Sequence, residues 1–156
     1  VYSGFELYEH VSLRPGSEEY LDTEKFQYRP RNWQAAAKSG YTLAPLLTRL
    51  NSIRRVHPAL EDLRSLTFHP TDNPNVIAFS KHDQGDTIAV VCTLDSYGEQ
   101  QAQVSWTMPA LGLDWGQRFA AHDLITDTTW SWNAQTYIRL QPNQQVAHIV
   151  HISAGH

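Results

Sequence analysis

Four carboxylates stand close together near the start of the chain, at Glu18, Glu19, Asp22 and Glu24, and Lys25 follows them. Two carboxylates that face each other across a sugar ring can carry out glycoside hydrolysis. A cluster as dense as this one is more typical of a solvated face or of the charges at the start of a helix, and we favour that interpretation.

Four aromatic residues share the same long, polar stretch: Tyr20, Phe26, Tyr28 and Trp33. A loop of this length is unusual unless it has a function. Tyr and Trp rings beside charged groups suit stacking on sugars, but they equally suit packing a loop onto a domain. The residues alone leave both possibilities open.

The histidines predict no metal site. His148 and His151 are three residues apart on a predicted strand, so their side chains point to opposite faces and cannot share an ion. His69, His82 and His122 stand alone, and none of the five has a carboxylate or thiol partner at ligand spacing. All five are therefore expected to be surface or hydrogen-bonded residues, and the sequence indicates no cofactor.

Trp106, Trp115, Trp130 and Trp132 could form a sugar-stacking platform, as in carbohydrate-binding modules. Residues of this size more often fill a core or cover its end, and that interpretation is favoured here. The sequence also lacks a phosphate-cradling glycine loop, a G-x-S-x-G motif and a Cys/His pair.

The element that organises the first part of the chain is a helix, predicted over Thr42–Ala59. Thr42 is the expected N-cap, Pro45 falls in the first turn where a missing N–H costs nothing, and His57-Pro58 ends the helix. Its apolar residues recur at steps of three and four, as on one face of an α-helix: Leu43, Leu46, Leu47, Leu50 and Ile53.

The residues before this helix are predicted to be irregular, with a turn at Pro15-Gly16. Val1–Leu7 is the exception, because it resembles the end of a strand that enters a glycine turn. Such a strand has no upstream partner and the chain has no initiator Met, so we expect a piece of a longer protein.

After the helix, short runs alternate with turn residues, which predicts about eight strands in two packed antiparallel sheets, a β-sandwich. In the strand predicted over Gln101–Met108, the side chains that should face inward are Ala102, Val104, Trp106 and Met108. The predicted strands are Leu63–His69, Val76–His82, Thr87–Leu94, Gln101–Met108, Phe119–Leu124, Thr128–Trp132, Thr136–Leu140 and Val146–Ile152.

Composition excludes several classes of partner. The formal charge of −4 gives no basic field, so neither nucleic acid nor an anionic membrane is expected. No apolar run approaches the ~20 residues that span a bilayer, and no charged-then-apolar leader opens the chain.

The single cysteine, Cys92, is expected to be a buried small hydrophobe, and an intrachain disulfide is impossible. These features predict a cytoplasmic protein.

The string L-N-x-I-R-R-x-H-P-A-L, between the helix and the strands, resembles the end of the α-amylase superfamily, glycoside hydrolase family 13. The loop strings Tyr2–Leu7 and Gly16–Phe26 narrow the match, since they are similar to those of the GlgE-type α-1,4-glucan:maltose-1-phosphate maltosyltransferases. This resemblance covers nearly the whole chain. It implies a mainly β fold with some α, in which 1–60 is the end of a (β/α)8 barrel and 61–156 is a C-terminal β-sandwich.

The resemblance also implies a retaining transferase that moves maltosyl units from α-maltose 1-phosphate to α-1,4-glucans, as a homodimer when full-length. The family's catalytic carboxylates lie upstream, so no catalytic residue is expected in this chain and the chain alone should be inactive. Two positions match the donor site: Lys25 would hold the disaccharide, and Phe26 replaces the family's tyrosine. The alternatives are part of another amylase-superfamily glycosidase or branching enzyme, and a non-catalytic carbohydrate-binding β-domain.

Overall fold

The computed structural model describes residues 4–21 and 28–154. The chain divides into two compact units, Val1–Ser52 and Ile53–His156. The predicted donor-site residues Lys25 and Phe26 lie outside the described residues, as do Val1–Ser3.

The predicted barrel strand is not seen in the described part of Val1–Leu7, where Phe5–Leu7 form a short 3-10 helix. Gly4 and Tyr8 flank this helix with φ of 104° and 58°, in the left-handed region that ends extended structure. The carbonyl of Glu6 accepts bonds from the Leu43 N–H at 2.7 Å and from the Thr42 hydroxyl at 3.1 Å. The turn predicted at the glycine is therefore present at Gly4, while the strand residues expected before it, Val1–Ser3, lie outside the described residues.

Helix α1, Trp33–Ser39, occupies a stretch that was predicted to be irregular. The Asn32 side chain caps it by accepting from the Ala35 N–H at 2.9 Å, and Gly40 ends it with φ 72°. An Asn N-cap, a run of alanines and a C-terminal glycine are all helix signals, so the sequence could have predicted this helix.

Helix α2 runs over Ala44–Val56 and is followed by a 3-10 helix at Pro58–Leu60. It begins later than predicted, but the Thr42 hydroxyl does accept from the Ala44 N–H at 3.1 Å. Of its apolar stripe only Ile53 is buried, and Leu46 is 37% exposed. No helix in the described ranges is long and apolar enough to cross a bilayer.

The described residues contain eight strands: β1 Leu66–His69, β2 Val76–Asp83, β3 Asp86–Thr93, β4 Gln100–Ser105, β5 Phe119–Asp123, β6 Thr128–Trp132, β7 Gln135–Leu140 and β8 Ala147–Ala154. Six of them form one antiparallel sheet in the order β1-β2-β3-β8-β5-β6, and β4 pairs with β7 in a second sheet. All ladders are antiparallel. The fold is thus mainly β with few helices, as the sequence predicted.

One hydrophobic core lies in this unit, and the strands of both sheets contribute to it. Ala102, Val104, Trp106 and Met108 are all buried, as their alternation predicted. Met108, however, was wrongly assigned to a strand: β4 stops at Ser105, and Met108–Leu111 form a 3-10 helix. Pro109 stands in the first turn of this 3-10 helix, where its missing N–H costs nothing.

Candidate functional site

The segment that carries Lys25 and Phe26 leaves the described structure at Leu21 and returns at Tyr28. Its two ends are bridged by Arg29, whose Nη1 donates to the Leu21 carbonyl at 2.7 Å. Tyr28 is 91% exposed. A charged side chain therefore joins the flanks of the predicted donor-site loop and limits how far they can separate.

The residues before this loop form a small hairpin-like segment, 11–21. The Leu13 N–H donates to the Glu19 carbonyl at 2.8 Å, and the Leu21 N–H donates to the Val11 carbonyl at 2.7 Å. The predicted Pro15-Gly16 turn closes it, with Gly16 at φ 78°. Glu18 and Glu19 are exposed on this segment, whereas Asp22 and Glu24 lie outside the described residues.

Glu9 is the centre of the charge network beside the loop. Arg31 donates to both of its carboxylate oxygens at 2.9 Å, and Arg29 Nε lies 3.3 Å from Oε1. The hydrogen bonds from Arg31 hold the pKa of Glu9 below its ordinary value of 4.5. A Cβ at Gly4 would stand 2.1 Å from Glu9 Oε2, so this arrangement requires a glycine.

An open depression of about 440 Å³ adjoins this network and is lined by residues 30–34. Arg31 is engaged with Glu9, and Asn32 caps α1. Trp33, which also lines the depression, is 44% exposed. Such a half-exposed indole can stack on a sugar ring.

In the second unit, the tryptophans mainly build the core. Trp106 and Trp132 are buried and stacked at 5.8 Å, and Trp130 stacks on Trp132 at 6.0 Å. Trp115 is 66% exposed. The core interpretation is confirmed for Trp106 and Trp132, which excludes both from an exposed sugar platform.

Two histidines in this unit are buried beside polar partners. His69 accepts from the Thr107 N–H at 3.1 Å and lies 2.8 Å from the Ser80 hydroxyl, and burial lowers its pKa from 6.5 to about 4. His148 donates to the fully buried Asp123 at 2.9 Å. Burial acts to raise the pKa of Asp123, but its hydrogen bonds, first that from His148, outweigh this and hold the pKa below 3.8.

A third cluster joins three residues that are far apart in the sequence. His57 Nδ1 lies 3.0 Å and His151 Nε2 lies 3.3 Å from the same oxygen of Asp86, Oδ1. The other oxygen accepts from the Ala59 N–H at 3.1 Å. These are ligand types that can hold a metal ion.

Comparison with known families gives a match over residues 68–152, more than half of the chain, to the family model described as "GLGE, C-terminal". The chain belongs to the GlgE C-terminal family. The matched residues lie entirely within the second unit.

Curated relatives of this chain extend the match to the first unit. The chain is 51% identical to α-1,4-glucan:maltose-1-phosphate maltosyltransferase 2 of Streptomyces coelicolor, over 97% of the chain's own length. It is 45% identical to the maltosyltransferase of Mycobacterium tuberculosis, over 99% of that length. The Mycolicibacterium smegmatis maltosyltransferase is 47% identical over 97%. The chain spans only 22–23% of these relatives.

Among solved structures, a noncanonic maltogenic α-amylase, AmyB of Thermotoga neapolitana, is similar in fold. The TM-score is 0.56 at 13% sequence identity, over 73% of this chain and 26% of that one. This likeness concerns the fold alone.

Sequence reasoning treated the histidines as lacking carboxylate partners, and that was wrong for three of them. His122 pairs with Asp127, His148 with Asp123 and His151 with Asp86. The partners of His148 and His151 come from other strands, so linear spacing could not show them. They are nonetheless hydrogen-bonded residues, as predicted for the set.

Proposed function

We propose that this chain works as the C-terminal part of a maltosyltransferase that takes maltosyl units from α-maltose 1-phosphate, adds them to the non-reducing end of α-1,4-glucans and releases phosphate. The observation that supports this best is the identity of 45–51% to maltosyltransferases over 97–99% of the chain. The protein would be cytoplasmic, and the full-length enzyme a homodimer.

In this proposal the chain supplies no catalytic residue. A retaining transfer needs a carboxylate nucleophile and a carboxylic acid about 5–5.5 Å apart, at the C-terminal face of a barrel. We assign these groups to the part of the enzyme that precedes this chain. Residues 1–60 would then complete the catalytic domain, and residues 61–156 would form the β-domain.

The contribution of the chain to the site is to hold the donor's disaccharide through Lys25 and Phe26. The ammonium group of Lys25 can donate up to three hydrogen bonds to sugar hydroxyls. The bridge from Arg29 to the Leu21 carbonyl supports this role, because tethered flanks reduce the conformational freedom that the loop must lose on binding.

The test is a phosphate-release assay with α-maltose 1-phosphate and glycogen. The full-length enzyme should release phosphate, and the 156-residue chain alone should not exceed a buffer blank. Release by the chain alone would contradict the assignment of the catalytic carboxylates. A full-length enzyme that elongates glucans only from a glucan donor would contradict the proposed reaction.

A further inference from the structure

A group of metal-binding side chains lies on the second unit, where no catalytic role was assigned. His57 precedes the 3-10 helix Pro58–Leu60, and Asp86 begins β3. His151 belongs to β8, in register with Ile88 of β3. Asp86 is two residues before Ile88 and therefore shares its face of the sheet, which brings the carboxylate beside His151.

We propose that His57, Asp86 and His151 bind a divalent transition-metal ion of the Zn²⁺ type. The donor set of two imidazole nitrogens and one carboxylate oxygen is one that Zn²⁺ uses when it keeps a fourth position open for water. Imidazole also suits Ni²⁺ and Cu²⁺, whereas Mg²⁺ and Ca²⁺ prefer oxygen ligands.

The spacing of the three ligand atoms fits such an ion. Tetrahedral bonds of about 2.0–2.1 Å place neighbouring ligand atoms about 3.3 Å apart. The distances from Asp86 Oδ1 are 3.0 Å to His57 Nδ1 and 3.3 Å to His151 Nε2, and all three atoms lie within 4.8 Å of one another. The two distances from Asp86 Oδ1 are therefore close to those of a tetrahedral site.

The surroundings also orient the ligands. The Ala59 N–H holds Asp86 Oδ2 at 3.1 Å, which directs Oδ1 toward the two histidines, and such an outer hydrogen bond is typical of metal-binding carboxylates. The side chains of His57 and Asp86 are only 15% and 13% exposed, whereas His151 is 38% exposed and gives an ion access from solvent. A bound ion would link the segment around Ala59 to β3 and β8.

The competing explanation is a hydrogen-bonded group in which both imidazoles donate to Asp86 and no ion binds. Calorimetric titration of the metal-stripped chain with Zn²⁺ separates the two. We expect one Zn²⁺ per chain with a Kd below about 10 µM, a rise in Tm with Zn²⁺ and none with Mg²⁺. Absence of saturable one-site binding would overturn the proposal.

Variants then locate the ion. His151→Gln and Asp86→Asn should each weaken Zn²⁺ binding at least 10-fold. The matched control is His82→Gln, because His82 bonds Thr87 at 2.7 Å and Thr87, the residue after Asp86, has its side chain on the opposite face of β3. Binding that survives His151→Gln and Asp86→Asn unchanged would contradict the site.

A measurement on the unaltered chain tests the metal site even if the variants fail to fold. Zn²⁺ should slow the modification of His57 and His151 by diethyl pyrocarbonate and leave the rate at His82 unchanged. Equal rates with and without Zn²⁺ at the first two positions would overturn the proposal. Because none of these readouts is an activity, they are independent of the proposed transferase function.

Discussion

The two units of the chain are stabilised by different kinds of contact. The second unit buries a continuous apolar core that includes Trp106 and Phe119, whereas none of the apolar side chains described between residues 4 and 52 is buried. The described part of the first unit relies on polar contacts such as Glu9 with Arg31. The family match at 68–152 includes this core, whereas the residues proposed to meet substrate lie in the first unit.

The comparison teaches that the apolar core and the proposed substrate contact belong to different parts of this chain. A core tolerates little change in volume. A loop whose flanks are hydrogen-bonded depends on a few side chains for its position, and its other residues can vary in sequence. Substitutions in the two units should therefore differ in both size and kind of effect.

The largest expected effect is that of Trp106→Ala. This indole is 1% exposed, donates to the Thr136 hydroxyl at 3.2 Å and stacks on Trp132. Its loss should lower the free energy of unfolding by about 3–5 kcal/mol, measured by urea denaturation followed by circular dichroism.

The matched control is Trp33→Ala in the first unit, where the ring is 44% exposed. This change should cost less than about 1 kcal/mol, as is usual for surface positions. Equal losses of unfolding free energy in Trp106→Ala and Trp33→Ala would contradict the proposed difference between the two units.

A smaller effect should come from acidification, through His69. Its pKa is about 4 in the folded chain against an ordinary 6.5, so between these values the unfolded chain takes up a proton that the folded chain does not. The stability contribution is complete above pH 6.5 and falls by about 3 kcal/mol as the pH drops to 4. Unfolding free energies measured at several pH values in this range give the slope.

The control is His69→Gln, whose amide can keep hydrogen bonds to Ser80 and Thr107 but does not titrate. Its stability should depend less steeply on pH between 6.5 and 4. The same slope in both proteins would show that other groups dominate this range.

The strands of the second unit were predictable because each one is a local pattern with turn residues at its ends. Thr128–Trp132 was predicted with its observed bounds, and most of the other strands were placed to within one or two residues. Alternation continues to Met108, but Pro109 lies in the first turn of a 3-10 helix, a position that suits proline and that the sequence already indicated.

The sites were harder to predict, because they depend on distant residues. His57, Asp86 and His151 meet only through the β3–β8 register and the chain segment before β1. Arg31 reaches Glu9 across 22 positions in the sequence. Neither arrangement leaves a periodic signal in the sequence. The caps of α1, Asn32 and Gly40, did leave a local helix signal, which the sequence-based prediction missed.

In the first unit, Glu9→Ala should loosen the hairpin-like segment without unfolding the core. Three charge-assisted contacts would be lost from a half-buried site, which we expect to cost about 1–2 kcal/mol after solvent screening. Amides in 4–21 should exchange with solvent roughly 10-fold faster, while those of β3 should not change.

Two checks sharpen this prediction. Glu18→Gln, at an exposed carboxylate of the same segment, should leave exchange unaltered. Because the pKa of Glu9 lies below 4.5, the stabilisation should be present above that pH and should be lost as the pH falls through the folded pKa. Faster exchange in β3 of Glu9→Ala would show that this contact supports the core as well.

The central claim is the proposal that a loop of the first unit contacts the donor sugar through Lys25. Lys25→Ala in the full-length enzyme tests it most directly. Kinetics with α-maltose 1-phosphate should show kcat/KM lowered at least about 10-fold, or ~1.4 kcal/mol, mainly through a higher KM. The Tm should not change, and the exposed Lys38→Ala should match the unaltered enzyme in both measurements. Kinetics of Lys25→Ala that equal those of Lys38→Ala would contradict the account.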